Sequence, residues 1–180
     1  NRLKKNKGQV STELTYALDV NRAKIRKDIW KVWYDEIGFF IYWSEPWEIN
    51  AMVQDAWPYV RRYDVNQMKE KSPSWRFSSK MSAYKSTIFK QKMIDKIKSV
   101  YPDADAEMIL KKMKNGLANQ LIVNRKEAGE SKEDKPTLAG EAIKKMSVDK
   151  FLKFIEGRIN RAGNKIQKNI IRLYSLKNKY

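Results

Sequence analysis

The side chains of this sequence best suited to bind a ligand are its 38 lysines and arginines. They face only 21 aspartates and glutamates, which leaves a net charge of +17. Such an excess repels itself in a compact chain unless an anionic partner neutralises it. Nucleic acid is the commonest such partner, and an anionic membrane surface is the second. We therefore predict that these cations contact the phosphate backbone of a nucleic acid.

The charges are sorted into stretches. Residues 1–34, 59–101 and 147–180 carry net charges of +6, +8 and +7, whereas residues 35–58 carry −5 and residues 102–146 carry +1. The predicted nucleic-acid-binding residues come from the three basic stretches: Arg2, Lys4, Lys5, Lys7, Arg22, Lys24, Arg26, Lys27, Lys31, Arg61, Arg62, Arg76, Lys80, Lys85, Lys165, Lys168 and Arg172.

Each stretch is assigned to nucleic-acid binding for a different reason, and each also has a simpler structural explanation. Residues 1–10 read as a basic arm that binds by releasing counterions, or as a solvated terminus. On the following helix, like charges four residues apart favour phosphate contacts, or form a solvated face. Residues 75–86 mix cations, hydroxyls and aromatic rings, which suits a nucleic acid, although Trp75 and Phe77 fit a core equally well. The last helix has a basic face that suits a membrane, a partner helix or nucleic acid, or is simply solvated behind a packed apolar face. Packing against the same protein or a second subunit, with some backbone contact, is favoured.

Several kinds of chemistry are disfavoured. With no cysteine and no histidine, the chain lacks thiolates, cysteine-bound metals and the usual general base near neutral pH. The acidic stretch can hold magnesium in principle, but helix starts, salt bridges or contact with a basic patch of another copy explain its spacing better: Asp35, Glu36, Glu45, Glu48 and Asp55. We predict no catalytic residue, no metal, no cofactor and no enzymatic activity.

Hydrophobic spacing predicts an all-α fold, a bundle of five to six helices with an extended basic N-terminal arm and a C-terminal helix. We predict a basic arm over residues 1–10, a helical core over 11–124, a polar loop or linker over 125–140 and a basic amphipathic helix over 141–180. The clearest helix follows Ser147, where apolar residues recur every three or four positions for about seven turns. Gly157 and Gly163 either weaken this helix or permit close helix contact.

The core contains weaker predictions. A helix from Ser11 is expected to end near Trp33 with a tight connection, although a short strand or a buried turn also fits residues 33–43. A second helix begins at Pro46, and Pro58 kinks or ends it. Residues 66–74 read as a polar loop. A third helix covers residues 79–101 with Tyr84 and Ile88 inward, among others, and a fourth follows Asp103.

The basic arm Arg2–Lys7, the long basic helix Ser11–Tyr34, the further lysine-rich helices and the basic end near Tyr180 together resemble the major coat proteins of filamentous archaeal viruses of the lipothrixvirus and rudivirus kind. The resemblance spans most of the chain and rests on layout and composition. It implies an α-helical fold, paired coat subunits stacked as a helix, and double-stranded DNA wrapped through its phosphates.

The leading hypothesis is a structural DNA-packaging protein, a filament-forming viral coat or nucleoprotein that binds the phosphate backbone without sequence specificity. Its expected partners are double-stranded DNA and copies of itself or of a paralogous coat subunit, and its expected location is the virion. The residues do not separate DNA from RNA, and membrane contact is possible but not indicated. The alternative is a non-viral accessory protein of replication or chromatin, located inside the cell.

Overall fold

The computed structural model of the protein describes residues 25–127, 138–177 and 179. Within these ranges every regular element is helical, which confirms the predicted all-α class. The elements are α1 Lys27–Trp33, a π-helical turn Tyr34–Gly38, α2 Phe39–Trp43, α3 Pro46–Arg62, α4 Val65–Lys71, α5 Pro73–Ser82, α6 Ser86–Val100, α7 Ala106–Glu127, α8 Leu138–Lys145 and α9 Val148–Lys177. Since α1, the π-helical turn and α2 follow one another without a break, the described ranges hold eight helical segments, more than the predicted five or six. The predicted basic arm lies outside them.

The helices group into two compact units. The first consists of the described residues up to Gly38 together with Thr87–Lys153, and the second of Phe39–Ser86 together with the described residues from Phe154 onward. Each unit has its own apolar core. In the first, the ring of Trp33 stacks on Phe151 at 6.2 Å and lies 5.8 Å from Phe89. In the second, buried residues of α3 such as Met52 and Ala56, and of α9 such as Ile159 and Ile166, form the core.

The strongest sequence patterns correspond to the clearest helices. Pro46 occupies the start of α3, and Glu48 lies in its first turn. Pro58 does not end the helix, which continues for four more residues. The apolar stripe predicted for the last helix is buried along α9 from Val148 to Ile170. The Ser147 hydroxyl accepts a hydrogen bond from Lys150 N at 3.1 Å, which satisfies one of the free N–H groups at the start of that helix.

The predicted helix end near Trp33 is wrong. The chain stays helical through the π-helical turn and α2 to Trp43, and the turn follows there, where Ser44 N donates to Phe40 O at 3.0 Å. Nor does one helix run from Ser11 to Tyr34. A bend at Ile25 and Arg26 precedes α1, and Arg26 N donates to the Tyr101 hydroxyl at 3.2 Å, outside any helical ladder.

The predicted polar loop over residues 66–74 is also wrong. The helices α4 and α5 cover most of these residues, and each begins at a capping side chain. The Asp64 carboxylate accepts from Gln67 N at 2.9 Å and starts α4. The Ser72 hydroxyl accepts from Trp75 N at 3.3 Å, and Pro73 supplies the first position of α5. These caps satisfy N–H groups that a short helix would otherwise leave free.

The predicted third helix is two helices, separated by residues 83–85. The break changes which side of the following helix is buried. Ile88 is therefore 70% exposed, although one continuous helix over residues 79–101 would have placed it inward. Phe89 and Met93 are buried instead, whereas Met81 and Ile97 are buried as predicted. The spacing rule holds within each helix, but it cannot be extended across a break of unknown twist.

A buried lysine holds the end of α8 in the first unit. Lys114 is fully buried, and its ammonium donates to Ile143 O at 2.8 Å, to Lys144 O at 3.0 Å and to Met146 O. These carbonyls belong to the last turn of α8 and the residue after it, where the helix dipole is negative. Burial, followed by the nearby charge of Lys111, lowers the pKa of Lys114.

Replacing Lys114 with alanine is expected to lower the free energy of unfolding by about 2–4 kcal/mol, because three carbonyls lose their donor and a cavity forms. Urea denaturation measures this. Lys112→Ala, at an exposed position of α7, should change it by less than about 0.5 kcal/mol. Equal stability of the two variants would show that the ammonium contributes nothing.

Candidate nucleic-acid interface

One face of α9 carries a row of exposed cations in the second unit. Arg161, Lys165, Lys168 and Arg172 are all exposed, and their spacing of four, three and four residues places them within an arc of about 60° on the helix. We call these four residues the α9 cation row. It extends about 16 Å along the helix axis. Within α9 from Phe154 onward the single acidic residue is Glu156, which is buried.

The opposite face of α9 is attached to α5, which fixes the direction of the row. Asn160 Nδ2 donates to Met81 O at 2.9 Å and to Tyr84 O at 3.1 Å. One turn beyond Gly163, Gln167 Nε2 donates to Ser79 Oγ at 2.8 Å. Because these contacts lie on the side of the helix away from the cations, the α9 cation row points to solvent.

Other cations of α9 are already paired within the second unit. Arg158 donates to Ser44 Oγ at 2.8 Å and to Glu45 Oε1 at 2.7 Å. The Lys177 ammonium donates to Val60 O at 2.9 Å, where it complements the negative end of the α3 dipole. The four residues of the α9 cation row have no such partner among the described residues, so their charges stay available to an anion.

The structure distributes the remaining predicted residues of the second unit over other segments. Arg61 and Arg62 are exposed in the last turn of α3. Arg76 and Lys80 are exposed one turn apart on α5, and Lys85 is exposed just after it. Of the predicted residues in the second unit, Arg76 and Lys80 share one face of α5, and Lys165, Lys168 and Arg172 share one face of α9. Arg161 completes this row and was not among the predicted residues, although its four-residue spacing from Lys165 was the signal for it.

In the first unit, Arg26 forms a salt bridge with Asp28 at 3.2 Å, whereas Lys27 and Lys31 are exposed one turn apart on α1. Asp28 also meets Lys96 at 3.0 Å, and the hydrogen bond from Lys96 is the main cause that lowers the pKa of Asp28. The other predicted residues lie outside the described ranges: Arg2, Lys4, Lys5, Lys7, Arg22 and Lys24.

Next to α5, aromatic rings form a cluster that reaches the surface. The stacked rings of Phe40 and Phe77 are 6.0 Å apart, and Phe40 lies 5.2 Å from Tyr84. Phe39 meets Phe77 edge-on at 5.7 Å, and Trp43 lies 5.7 Å from Phe77. We call these five residues the aromatic cluster. Burial, with the nearby Glu156 carboxylate, raises the pKa of Tyr84, so this phenol stays protonated at neutral pH.

The serine hydroxyls of α5, predicted as phosphate donors, are used within the helix. Ser78 and Ser79 donate to Trp75 O at 2.7 and 3.0 Å, and Ser82 donates to Ser79 O at 3.0 Å. Trp75 is half-buried, and the Lys69 ammonium lies over its ring, 5.1 Å from the ring centre. The cations of this segment are therefore better placed than its hydroxyls to meet a phosphate.

The acidic stretch is largely occupied by internal contacts. Glu36 pairs with Lys92, Glu45 with Arg158, and the buried Glu48 accepts from the Tyr42 hydroxyl. Burial and this bond to Glu48 raise the pKa of Tyr42. Over residues 25–127 and 138–177, no three acidic side chains come together in an arrangement that can hold a metal ion.

Comparison of the chain with protein-family models, with curated proteins and with solved structures finds no match. Among the helices that the structure describes, none is both long and apolar enough to cross a lipid bilayer.

Proposed function

We propose that this protein binds the phosphate backbone of double-stranded DNA without reading its sequence, and that it packages the DNA as a structural protein. The observation that carries the proposal is the α9 cation row, four exposed cations with no acidic neighbour on their helix face. Its length of about 16 Å equals the rise of about five base pairs, at roughly 3.4 Å per step along each strand. A rigid helix with such a row fits a line of phosphates.

The chemistry of the row supports contact with the backbone rather than with bases. Lysine and arginine side chains bind phosphates wherever they occur, and phosphate contacts alone carry no sequence information. Few groups suited to reading base edges lie between the cations, and Asn164 is one of them. Affinity is therefore expected to come from released counterions.

The proposed role is that of a filament-forming viral coat or nucleoprotein in a virion. Both units carry a surplus of cations: the second has 14 lysines and arginines against six acidic residues, and the rest of the chain has 24 against 15. A net surplus of cations in both units suits a protein that covers DNA along its length. Exposed apolar side chains such as Ile88 and Met108, at 70% and 50%, are available for contacts between copies.

Binding is expected to fall steeply with salt and to depend little on sequence. With four to eight phosphates neutralised, the plot of log affinity against log salt should have a slope of about −4 to −7. Fluorescence anisotropy with several labelled duplexes of equal length and unrelated sequence measures both properties. A shallow slope together with a strong preference for one duplex would contradict the proposal.

Electron microscopy of the purified protein with and without long duplex DNA tests the packaging role. Regular filaments that appear with DNA are the expected result. DNA that carries scattered single or paired copies, without a repeating assembly, would instead identify an accessory protein of replication or chromatin.

A further inference from the structure

The aromatic cluster is more exposed than the rings in the core of the first unit. Phe89 and Phe151, in the core of the first unit, are 2% and 1% exposed, whereas Phe39 is 46% exposed although it contacts three other rings. Phe40, Trp43 and Phe77 beside it are half-buried. Burying a phenylalanine is worth about 1.5–3 kcal/mol, so this cluster leaves stabilising surface unburied in the free protein.

The cluster has cations on its rim. Carboxylates lie within three residues of Phe39 and Trp43 in sequence, but Glu36 pairs with Lys92 and Glu45 with Arg158. The buried Glu156 near Tyr84 accepts from the Ser86 hydroxyl. Phe77 lies on α5 between the buried side of the helix and its exposed side, and Lys80, one turn later, is its neighbour on the helix surface. Arg76 and Lys85 flank the same segment and are exposed. The sequence contains no acidic residue between Glu70 and Asp95, and none of these three cations has an ion-pair partner in the described part of the chain.

We propose that the aromatic cluster is a binding site for unpaired bases of a single-stranded nucleic acid, with Arg76, Lys80 and Lys85 on its phosphates. Flat rings at the surface offer π faces on which bases stack, and flanking cations hold the backbone that joins those bases. A duplex hides the faces of its bases inside the stack, so this site selects strands that are unpaired, gapped or locally opened.

The charge of the rim distinguishes this occupant from a protein partner. A peptide docked on the cluster would place its own mixed charges against three unpaired cations, whereas a nucleic-acid strand brings one negative charge for every base that it can stack. The site is separate from the α9 cation row, which contains no aromatic residue. The inference therefore goes beyond duplex packaging and does not depend on it.

Phe39→Leu tests the site, because leucine keeps an apolar side chain and removes the ring. Affinity for a labelled 12-nucleotide oligothymidine and for a duplex of equal length is measured by fluorescence anisotropy at about 0.1 M salt. We expect Phe39→Leu to weaken single-strand binding about tenfold and duplex binding by less than twofold. Phe39→Tyr, which keeps a ring, should retain the affinity of the unmodified protein.

Phe154→Leu is the matched control, since Phe154 is 51% exposed on α9 and has no ring contact among the described residues. It should leave both affinities unchanged. The double variant Arg76→Gln, Lys80→Gln should reduce the salt slope for the single strand by about 1.4, at roughly 0.7 for each phosphate contact.

Two outcomes would overturn the inference. One is single-strand affinity that is the same in Phe39→Leu and Phe154→Leu. The other is loss of self-association in Phe39→Leu with single-strand binding intact, which would identify the cluster as a contact between copies. Either result leaves duplex binding through the α9 cation row untouched, so failure of this site is distinguishable from failure of the packaging function.

Discussion

Replacing Arg161, Lys165, Lys168 and Arg172 together with glutamine is expected to reduce the affinity for duplex DNA about four-thousandfold at 0.1 M salt. Each of these side chains is exposed on one face of α9 and is free of an ion-pair partner among the described residues. A phosphate contact releases close to one counterion, and at this salt concentration each release contributes slightly less than a factor of ten. The salt slope should become shallower by about 3.6.

The control variant must distinguish the loss of four cations arranged in one row from the loss of four positive charges anywhere on the protein. Lys98, Lys112, Lys144 and Lys150 are exposed on four different helices of the first unit. Changing these four to glutamine removes the same number of charges from the net +17. It should weaken binding far less, because the four lysines do not form one line. Equal losses in the two variants would mean that total charge, and not the α9 cation row, drives binding.

The second large effect concerns stability: Gly163→Ala is expected to lower the free energy of unfolding by about 3 kcal/mol. A Cβ added at Gly163 would lie 2.5 Å from Ser82 N, 2.6 Å from Ser78 O and 2.8 Å from Met81 Cβ. The first two atoms belong to the backbone of α5, so α9 and α5 must separate. Overpacking of this kind costs more than the roughly 1 kcal/mol that alanine gains over glycine in a helix.

Gly157→Ala on the same helix is the matched control. Its added Cβ would meet only the guanidinium end of Arg161, at 3.2 Å from Nη1, and a flexible side chain moves at little cost. Its free energy of unfolding should stay the same or rise by up to about 1 kcal/mol. Thermal unfolding should show a Tm about 6–12 °C lower for Gly163→Ala. A stable Gly163→Ala protein would mean that the two helices do not approach so closely.

Local spacing predicted α9 and the start of α3 well. Eight apolar positions spaced by three or four residues identified α9, and seven of them are buried from Val148 to Ile170. Pro46 and Glu48 marked the start of α3 in the same way. Such signals succeed because helix periodicity and end preferences act between residues only a few positions apart.

The short helices and breaks were predicted poorly. Polar residues over positions 66–74 suggested a loop, yet the caps at Asp64 and Ser72 form helices there. One pattern of period 3.6 seemed to continue from α5 into α6, and the break at residues 83–85 exposed Ile88. A short helix buries too little surface to show a clear period, so its existence depends on the neighbours against which it packs.

By itself, the amino-acid sequence determined the all-α class, the start of α3, the buried face of α9 and the surplus of positive charge, because each follows from composition or from residues close together in the chain. Only the tertiary structure decided which cations are free. Arg158 and Lys177 share α9 with the cation row, but they bond to Glu45 and Val60, which lie 113 and 117 residues away in sequence. The tertiary structure likewise decided that α9 approaches α5 closely at Gly163, whereas Gly157 faces only a side chain of its own helix. Such pairings depend on where distant segments meet, and helix periodicity carries no information about that.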